Sequence, residues 1–363
     1  MAQDRKVGVR ELAALAKVSV GTVDRALNGR PEISETTRRR ILELARKHGY
    51  RPNLAARALS AARSKVRIGV CLPRHFPAFY DQIREGILDE AARFQHAGVE
   101  IVYRPTGHLG IGEPNVVKAV LKSRIRALIL TPGDPAALAP VIDQAESKAD
   151  VRVVCVASDD SLSRRSSWIA VDPTLNGKMA AELMAHFLPA GSSAAIVTGF
   201  LKTEDHARKV DGFSQVFPRE CPGGGIAGVI EGHDYDQETF EKTRDFLRAH
   251  RRLDGIYVST AIMIPVCRAL ESEGRAGRVK VIATDLFEEA VPHVLNGTIS
   301  AIIYQCPYNQ GQLAVRFLMD HFMNGAALPR SHAIAPSIVL KCNLSTFREV
   351  RGSPAIAASA RPQ

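Results

Sequence analysis

The chain has 363 residues, 45% of them hydrophobic and 24% charged, the profile of a soluble globular protein longer than one typical domain and able to bury a sizeable core. No stretch approaches the roughly 20 apolar residues of a membrane helix, and Met1 to Lys6 has no apolar leader, so the expectation is a cytoplasmic protein with no membrane partner. The net charge of +10 is unevenly spread: residues 1–67 hold 16 Lys and Arg against 6 Asp and Glu, whereas the remainder holds 32 of each.

A compact basic head on a neutral body is the electrostatic footprint of a nucleic-acid-binding module. Three helices are predicted within it. Val9, Leu12, Ala13 and Ala16 share one face at helical spacing. Lys17-Val18 makes a turn, Ser19 is placed to cap the next helix, and Val23, Ala26 and Leu27 give that helix an inward side. Gly29-Arg30-Pro31 breaks it. Ser34 caps a third helix with Thr37, Ile41, Leu44 and Ala45 inward, and Gly49 stops it. Pro52 disfavours helix at the residue before it. Leu54 to Leu59 can form a short helix, and Ser60 to Lys65 reads as a linker.

From Val66 the texture changes to a βαβ rhythm. Strands are predicted near Arg67–Leu72, Val99–Tyr103, Ala127–Leu130, Val151–Val156, Trp168–Val171, Ala194–Thr198, Ala227–Ile230, Gly255–Val258, Lys280–Ala283 and Ser300–Tyr304. Helices are predicted at Tyr80–Gln95, Ala136–Ser147, Asn176–Leu188, His206–Phe217, Gln237–His250, Ile262–Glu273 and Asn309–Met323. About 280 residues of this rhythm suit two doubly wound lobes better than one. The fold class expected is therefore α/β: an all-α helix-turn-helix head and a two-lobed parallel-sheet body. The boundaries are 1–52 for the head, 53–65 for a hinge and linker, and 66–350 for the body. Lobe 1 takes about 66–158 and 308–324, lobe 2 about 159–306 and 330–350, and 351–363 is a disordered tail rich in Ala, Ser and Pro.

Catalysis has little support. No G-x-x-x-x-G-K-[ST], H-E-x-x-H or G-x-S-x-G motif is present. The six cysteines, Cys71, Cys155, Cys221, Cys267, Cys306 and Cys342, include no C-x-x-C pair and read as buried thiols. Glu204-Asp205-His206 and His233-Asp234 could suggest metal ligands, but spacing fixes no third partner. No catalytic residue, metal or cofactor is expected.

The stretch from Glu11 to Asn28, with Ser34 to Arg38 and with Gly49-Tyr50-Arg51-Pro52-Asn53 followed by Ala56 and Leu59, resembles the signature of the lactose-repressor family of transcription regulators. The resemblance implies a homodimer, with further pairing into a tetramer left open, bound to near-palindromic double-stranded operator DNA. It assigns base reading to Val20, Gly21 and Arg25, and an arginine fork can donate two hydrogen bonds to guanine. It places Ser19, Thr22, Asn28, Ser34 and Thr37 on the DNA backbone. It makes Asn53, Ala56 and Leu59 a hinge helix that orders on DNA, with Leu59 wedged into the minor groove. Lys17 stands where the family has a turn glycine, and Asp24 where it has a serine.

The body resembles the periplasmic sugar-binding fold over about 66–345. The carrying segments are Val281 to Asp285, Gly297, Ala301 to Gly311, and Ile169 to Asp172 with Asn176-Gly177. This implies a small-molecule effector, a sugar or polyol. Carboxylates and amides at strand ends suit such a ligand. By position Asp134, Asp285 and Gln305 match sugar contacts. Phe76 and Phe79 could stack on a sugar face, and His206 and Arg208 flank Ala207, where the family's ligand arginine would fall. The expectation is a regulator, read as a repressor, whose effector and operator bias one shared equilibrium. A transport receptor would have no use for the basic head, and a constitutive DNA binder none for the two-lobed body.

Overall fold

The computed structural model describes residues 8–27, 33–48 and 66–349. In the head, α1 (Val9–Ala16), α2 (Val20–Leu27) and α3 (Glu35–Lys47) enclose Leu12, Ala13, Ala16, Val23, Ala26, Ile41 and Ala45. Lys17 adopts left-handed backbone, φ 52°, and its own and the next N–H close α1 on Ala14 and Ala13. The turn therefore has the geometry that favours glycine, and lysine there costs on the order of 1 kcal/mol. Ser34 accepts the Thr37 N–H at 3.2 Å and caps α3.

The body follows as β1 (Val66–Cys71), α4 (Pro77–Arg93), β2 (Val99–Tyr103), α5 (Glu113–Leu121), β3 (Ala127–Leu130), α6 (Pro135–Lys148), β4 (Arg152–Val156) and β5 (Ser167–Ala170). Next come α7 (Pro173–Phe187), β6 (Ser193–Thr198), α8 (Glu204–Glu220), β7 (Gly225–Glu231), α9 (Asp236–Ala249), β8 (Gly255–Val258), α10 (Met263–Ser272), β9 (Lys280–Thr284), α11 (Val291–Leu295) and β10 (Ala301–Tyr304). The chain ends with α12 (Pro307–Asn324), β11 (His332–Ala333), β12 (Ser337–Val339) and α13 (Leu344–Glu349).

Two six-stranded sheets result. The first runs β11-β5-β4-β3-β1-β2, all parallel; the second runs β12-β10-β9-β8-β6-β7, with only β12 antiparallel. Each sheet is covered on both faces, because successive side chains alternate sides. Ile68 and Val70 pack with α4 and α12, while Cys71 packs with α5 and α6. In the second sheet Ala194 and Ile196 meet α7 and α8, and Ala195 and Val197 meet α9 and α10.

The lobe boundary differs from the sequence expectation. β5 extends the first sheet by pairing with β4, and β11 pairs with β5, so 167–170 and 332–333 belong to lobe 1. The cause lies in the loop between β4 and β5. Glu146 accepts the N–H groups of both Val153 and Ser166 and the Ser166 hydroxyl, which turns the chain back into the same sheet. The chain crosses to lobe 2 only after Ala170.

Candidate functional site

Between the lobes the C-terminal ends of strands from both sheets face one another across a polar crevice, the position at which doubly wound sheets take ligands. Lobe 1 contributes Phe76, Phe79 and Tyr80 beside β1, Leu109, Thr131 after β3, and Ala157-Ser158 after β4. Lobe 2 contributes α8 through Asp205, His206 and Lys209, and the strand ends through Asp234, Thr260, Asp285 and Gln305.

Each of these groups is held by its local backbone. Asp285 follows β9 in left-handed conformation, φ 72°, which turns its carboxylate back to accept from the Gln305 side-chain amide at 2.8 Å. Burial pushes this carboxyl up to about 6, opposed by Lys209 and by the Gln305 hydrogen bonds. Asp234, φ 57° and buried, accepts from the Thr260 hydroxyl at 3.2 Å. On α8, Lys209 donates to Asp205 at 2.7 Å, one helical turn apart, and both side chains are buried. Three buried polar atoms lining the crevice have no protein partner among the described residues: Thr131 Oγ1, Ser158 Oγ and Asp205 Oδ1. Unpaired buried groups of this kind are costly, and a ligand rich in hydroxyls would satisfy them.

The lobes touch around the crevice. Thr203 donates to the Gly133 carbonyl at 2.7 Å, Lys202 to the Gly110 carbonyl at 2.9 Å, and the Ser161 N–H to Glu204 at 3.1 Å. His75 Nε2 meets the Asp234 carbonyl. The His108 ring lies between lobes, 4.0 Å from His75 and 4.3 Å from Tyr235 by ring centroids. Burial and the neighbouring His75 lower the pKa of His108. In this arrangement the crevice keeps only about 40 Å3 of free space, room for water but not for a sugar. A ligand therefore enters when the lobes part. Beyond Phe76 and Phe79 lies a larger, mainly apolar cavity of about 420 Å3, reaching Ile264, Pro265 and Phe287.

Of the residues expected to contact an effector, Phe76, Phe79, His206, Asp285 and Gln305 line the crevice together. Asp134 and Arg208 do not. Asp134 caps α6 by accepting the Ala137 N–H at 3.2 Å and pairs with Lys202 at 3.2 Å. Arg208 lies on the far side of α8 from the crevice and pairs with Asp172 at 3.2 Å, which itself caps α7. Helical periodicity is the signal that separates them: with His206 inward, Lys209 and Phe213 follow on the same face while Arg208 turns away. That periodicity also reaches Lys209, which motif matching passed over. Thr131, Ser158 and Thr260 were missed because their only signal is a position at a strand end, and Asp234 was weighed only as a metal ligand. Glu113 was missed too. It is buried and accepts N–H groups from Gly110, Gly133 and Asp134 at 2.8 to 3.2 Å, fixing the lobe 1 rim.

In the head, the expected base-reading residues Val20, Gly21 and Arg25 all lie exposed on α2. Ser19 accepts the Thr22 N–H at 3.1 Å and shares a hydroxyl contact with Thr22 at 2.8 Å. Ser34 and Thr37 form the equivalent pair at 2.7 Å on α3. Two helix N-termini thus carry exposed hydroxyls beside free backbone donors, an arrangement suited to phosphate. Asn28, Asn53, Ala56 and Leu59 lie outside the described residues.

Residues 68–326, well over half of the chain, match the family described as periplasmic binding protein domain, and residues 9–53 match the bacterial regulatory proteins of the lacI family. Catabolite control protein A of Priestia megaterium is 26% identical over 325 residues, spanning 88% of this chain and 93% of that protein. A solute-binding protein of Burkholderia graminis, solved in complex with D-arabinose, superposes with a TM-score of 0.72 at 22% identity, over 77% of this chain and 97% of that one. GanP, a glucose-galactose binding protein of Geobacillus stearothermophilus, gives 0.71 at 24% identity over 77% and 99%. No described helix is long and apolar enough to cross a membrane. The chain therefore belongs, over its body, to the periplasmic binding protein domain family, and carries the head of the lacI family of bacterial regulatory proteins.

Proposed function

We propose that the chain is a sequence-specific transcription repressor whose operator affinity is set by a sugar or polyol held between its lobes. One observation carries this reading. A lacI-type head, with Val20, Gly21 and Arg25 exposed on α2, sits on the same chain as a crevice in which Thr131 Oγ1, Ser158 Oγ and Asp205 Oδ1 have no protein partner among the described residues. The relatives support it: one is a control protein, and the solved neighbours include sugar-binding proteins.

Two heads of a homodimer read the two half-sites of a near-palindromic operator. Arg25 donates to a guanine edge, the Val20 side chain offers apolar contact to a thymine methyl, and Gly21 lets the backbone approach. Ser19, Thr22, Asn28, Ser34 and Thr37 fix register on phosphate. Asn53, Ala56 and Leu59 form the hinge that orders on DNA. Ligand closes the lobes, and closure and DNA binding bias one equilibrium. The site of action is the cytoplasm, where the operator lies. Phe76 and Phe79 stack on the sugar, while His206, Asp285 and Gln305 hold its hydroxyls.

The test is a gel shift with and without effector, after a thermal-shift screen of the full chain against sugars and polyols. Arg25→Ala should weaken operator binding by ~1–3 kcal/mol and relax base preference at one position. An operator that responds to no sugar, or an Arg25→Ala protein with unaltered preference, would count against the corresponding half of the reading.

A further inference from the structure

The crevice is short of positive charge. Asp205, Asp234 and Asp285 line it, all more than nine-tenths buried, and Lys209 is the single Lys or Arg among its lining residues. Lys209 gives its ammonium to Asp205 at 2.7 Å. Asp234 accepts from a neutral donor, the Thr260 hydroxyl at 3.2 Å, and Asp285 accepts from the Gln305 amide at 2.8 Å and shares the field of the same Lys209. His206 is the one further lining group able to become cationic, and even so counted it leaves three carboxylates against two cations. Tyr80 reaches into the same space from lobe 1. Burial of uncompensated carboxylates is costly, and the cost is relieved by a proton or by a cation. Burial pushes the Asp285 carboxyl up to about 6 against Lys209 and the Gln305 hydrogen bonds.

The ligand must also donate hydrogen bonds. Among the described residues Asp205 Oδ1 is an acceptor without a partner, and the Thr131 and Ser158 hydroxyls, which line the same crevice, have none either. The rings of Phe76, Phe79 and Tyr80 supply aromatic surface in the same space, which favours both a sugar face and a nearby cation. We infer that the effector is a polyol bearing an ammonium group, an amino sugar or a cyclic imino sugar, whose cation is held by Asp234 and Asp285. The inference rests on reading the crevice as a sugar site. It also excludes phosphorylated sugars and sugar acids, since an anion would face unbalanced carboxylates.

The experiment is calorimetric titration of the full chain at neutral pH with matched pairs: D-glucosamine and D-glucose, D-galactosamine and D-galactose, D-mannosamine and D-mannose. Glucose 6-phosphate serves as the anionic probe. At least one amine should bind about tenfold or more tightly than its hydroxyl parent, and glucose 6-phosphate should not bind. Asp234→Asn keeps the size of the side chain and tolerates the left-handed backbone. It should reduce the preference for the amine over its parent, read as the ratio of the two affinities in the variant, to about twofold. Parents that bind as tightly as their amines across the set would overturn the inference and leave the sugar-effector reading standing, and this comparison needs no variant. An undiminished preference in Asp234→Asn would overturn the assignment of the cation to that carboxylate. Binding by neither set would overturn the inference and the sugar-effector reading together.

Discussion

Asp160 shows how one buried group can make stability depend on pH. It follows β4, is fully buried, and neither carboxyl oxygen has a protein partner among the described residues. Burial pushes its pKa from 3.8 to about 7, with Asp159 and Glu204 adding to the rise. A raised carboxyl makes folding easiest where it is protonated. The penalty is absent below about pH 4, grows as the pH climbs, and is complete above about pH 7. Asp160→Asn removes the charge and should stabilise the protein by ~2–4 kcal/mol near pH 8, with no gain near pH 4. Urea unfolding at the two values would decide it; an equal effect at both would mean that the group does not titrate in this range. The Asp159–Arg165 pair next to it is bidentate and buried, with 2.5 Å between Arg165 Nη2 and Asp159 Oδ2.

At the scale of elements, two helix pairs repeat one device. Gly86 and Gly311 let α4 and α12 touch backbone to backbone, because a Cβ on Gly311 would stand 2.1 Å from the Ile83 carbonyl oxygen and one on Gly86 2.0 Å from that of Tyr308. Gly177 and Gly212 do the same for α7 and α8, at 2.1 Å from Lys209 O and 2.2 Å from Thr174 O. Each lobe is thus closed on one face by a pair of glycine-matched helices. Gly311→Ala would gain up to ~1 kcal/mol in an isolated helix. Here it should instead lose ~2–3 kcal/mol, because the helices must part. A denaturation midpoint at or above wild type would show that the contact is looser than drawn. The α7–α8 pair also bears on function, since Lys209 sits at its point of closest approach and is placed in the crevice by it.

For the whole molecule, the closed crevice is held by few contacts. Thr203 is buried and its hydroxyl spans the lobes to Gly133, whose own position is fixed by Glu113. A hydrogen bond of this kind contributes ~1 kcal/mol, enough to move an open–closed equilibrium about fivefold. Thr203→Val should therefore populate open molecules and raise the radius of gyration of the ligand-free protein in small-angle scattering. It should weaken effector binding by a similar factor. An unchanged scattering curve with unchanged affinity would leave closure to the Lys202 and Ser161 contacts and to the stack of His75, His108 and Tyr235. Burial and the neighbouring His75 lower the pKa of His108, so acid strong enough to protonate it should loosen that stack.

Much of the architecture was written locally. Ten predicted strands and seven predicted body helices are present within a few residues of their expected bounds, because apolar runs and helical spacing are local signals. The helix beginning at Glu113 was hidden by the Gly-rich stretch before it, and β11 and β12 are too short to carry a period. The expected turn at Lys17 and the expected cap at Ser34 are likewise local, set by a few neighbouring dihedrals. Lobe membership was not, since β5 joins the first sheet through Glu146 and through β4. Nor was the difference between Lys209, which lines the crevice, and Arg208, which pairs with Asp172. The excess of carboxylates over cations between the lobes emerges only when residues from α8 and from the ends of β7, β8, β9 and β10 converge. Charge balance in a closed space depends on distance in three dimensions, and the order of residues along the chain does not contain that distance.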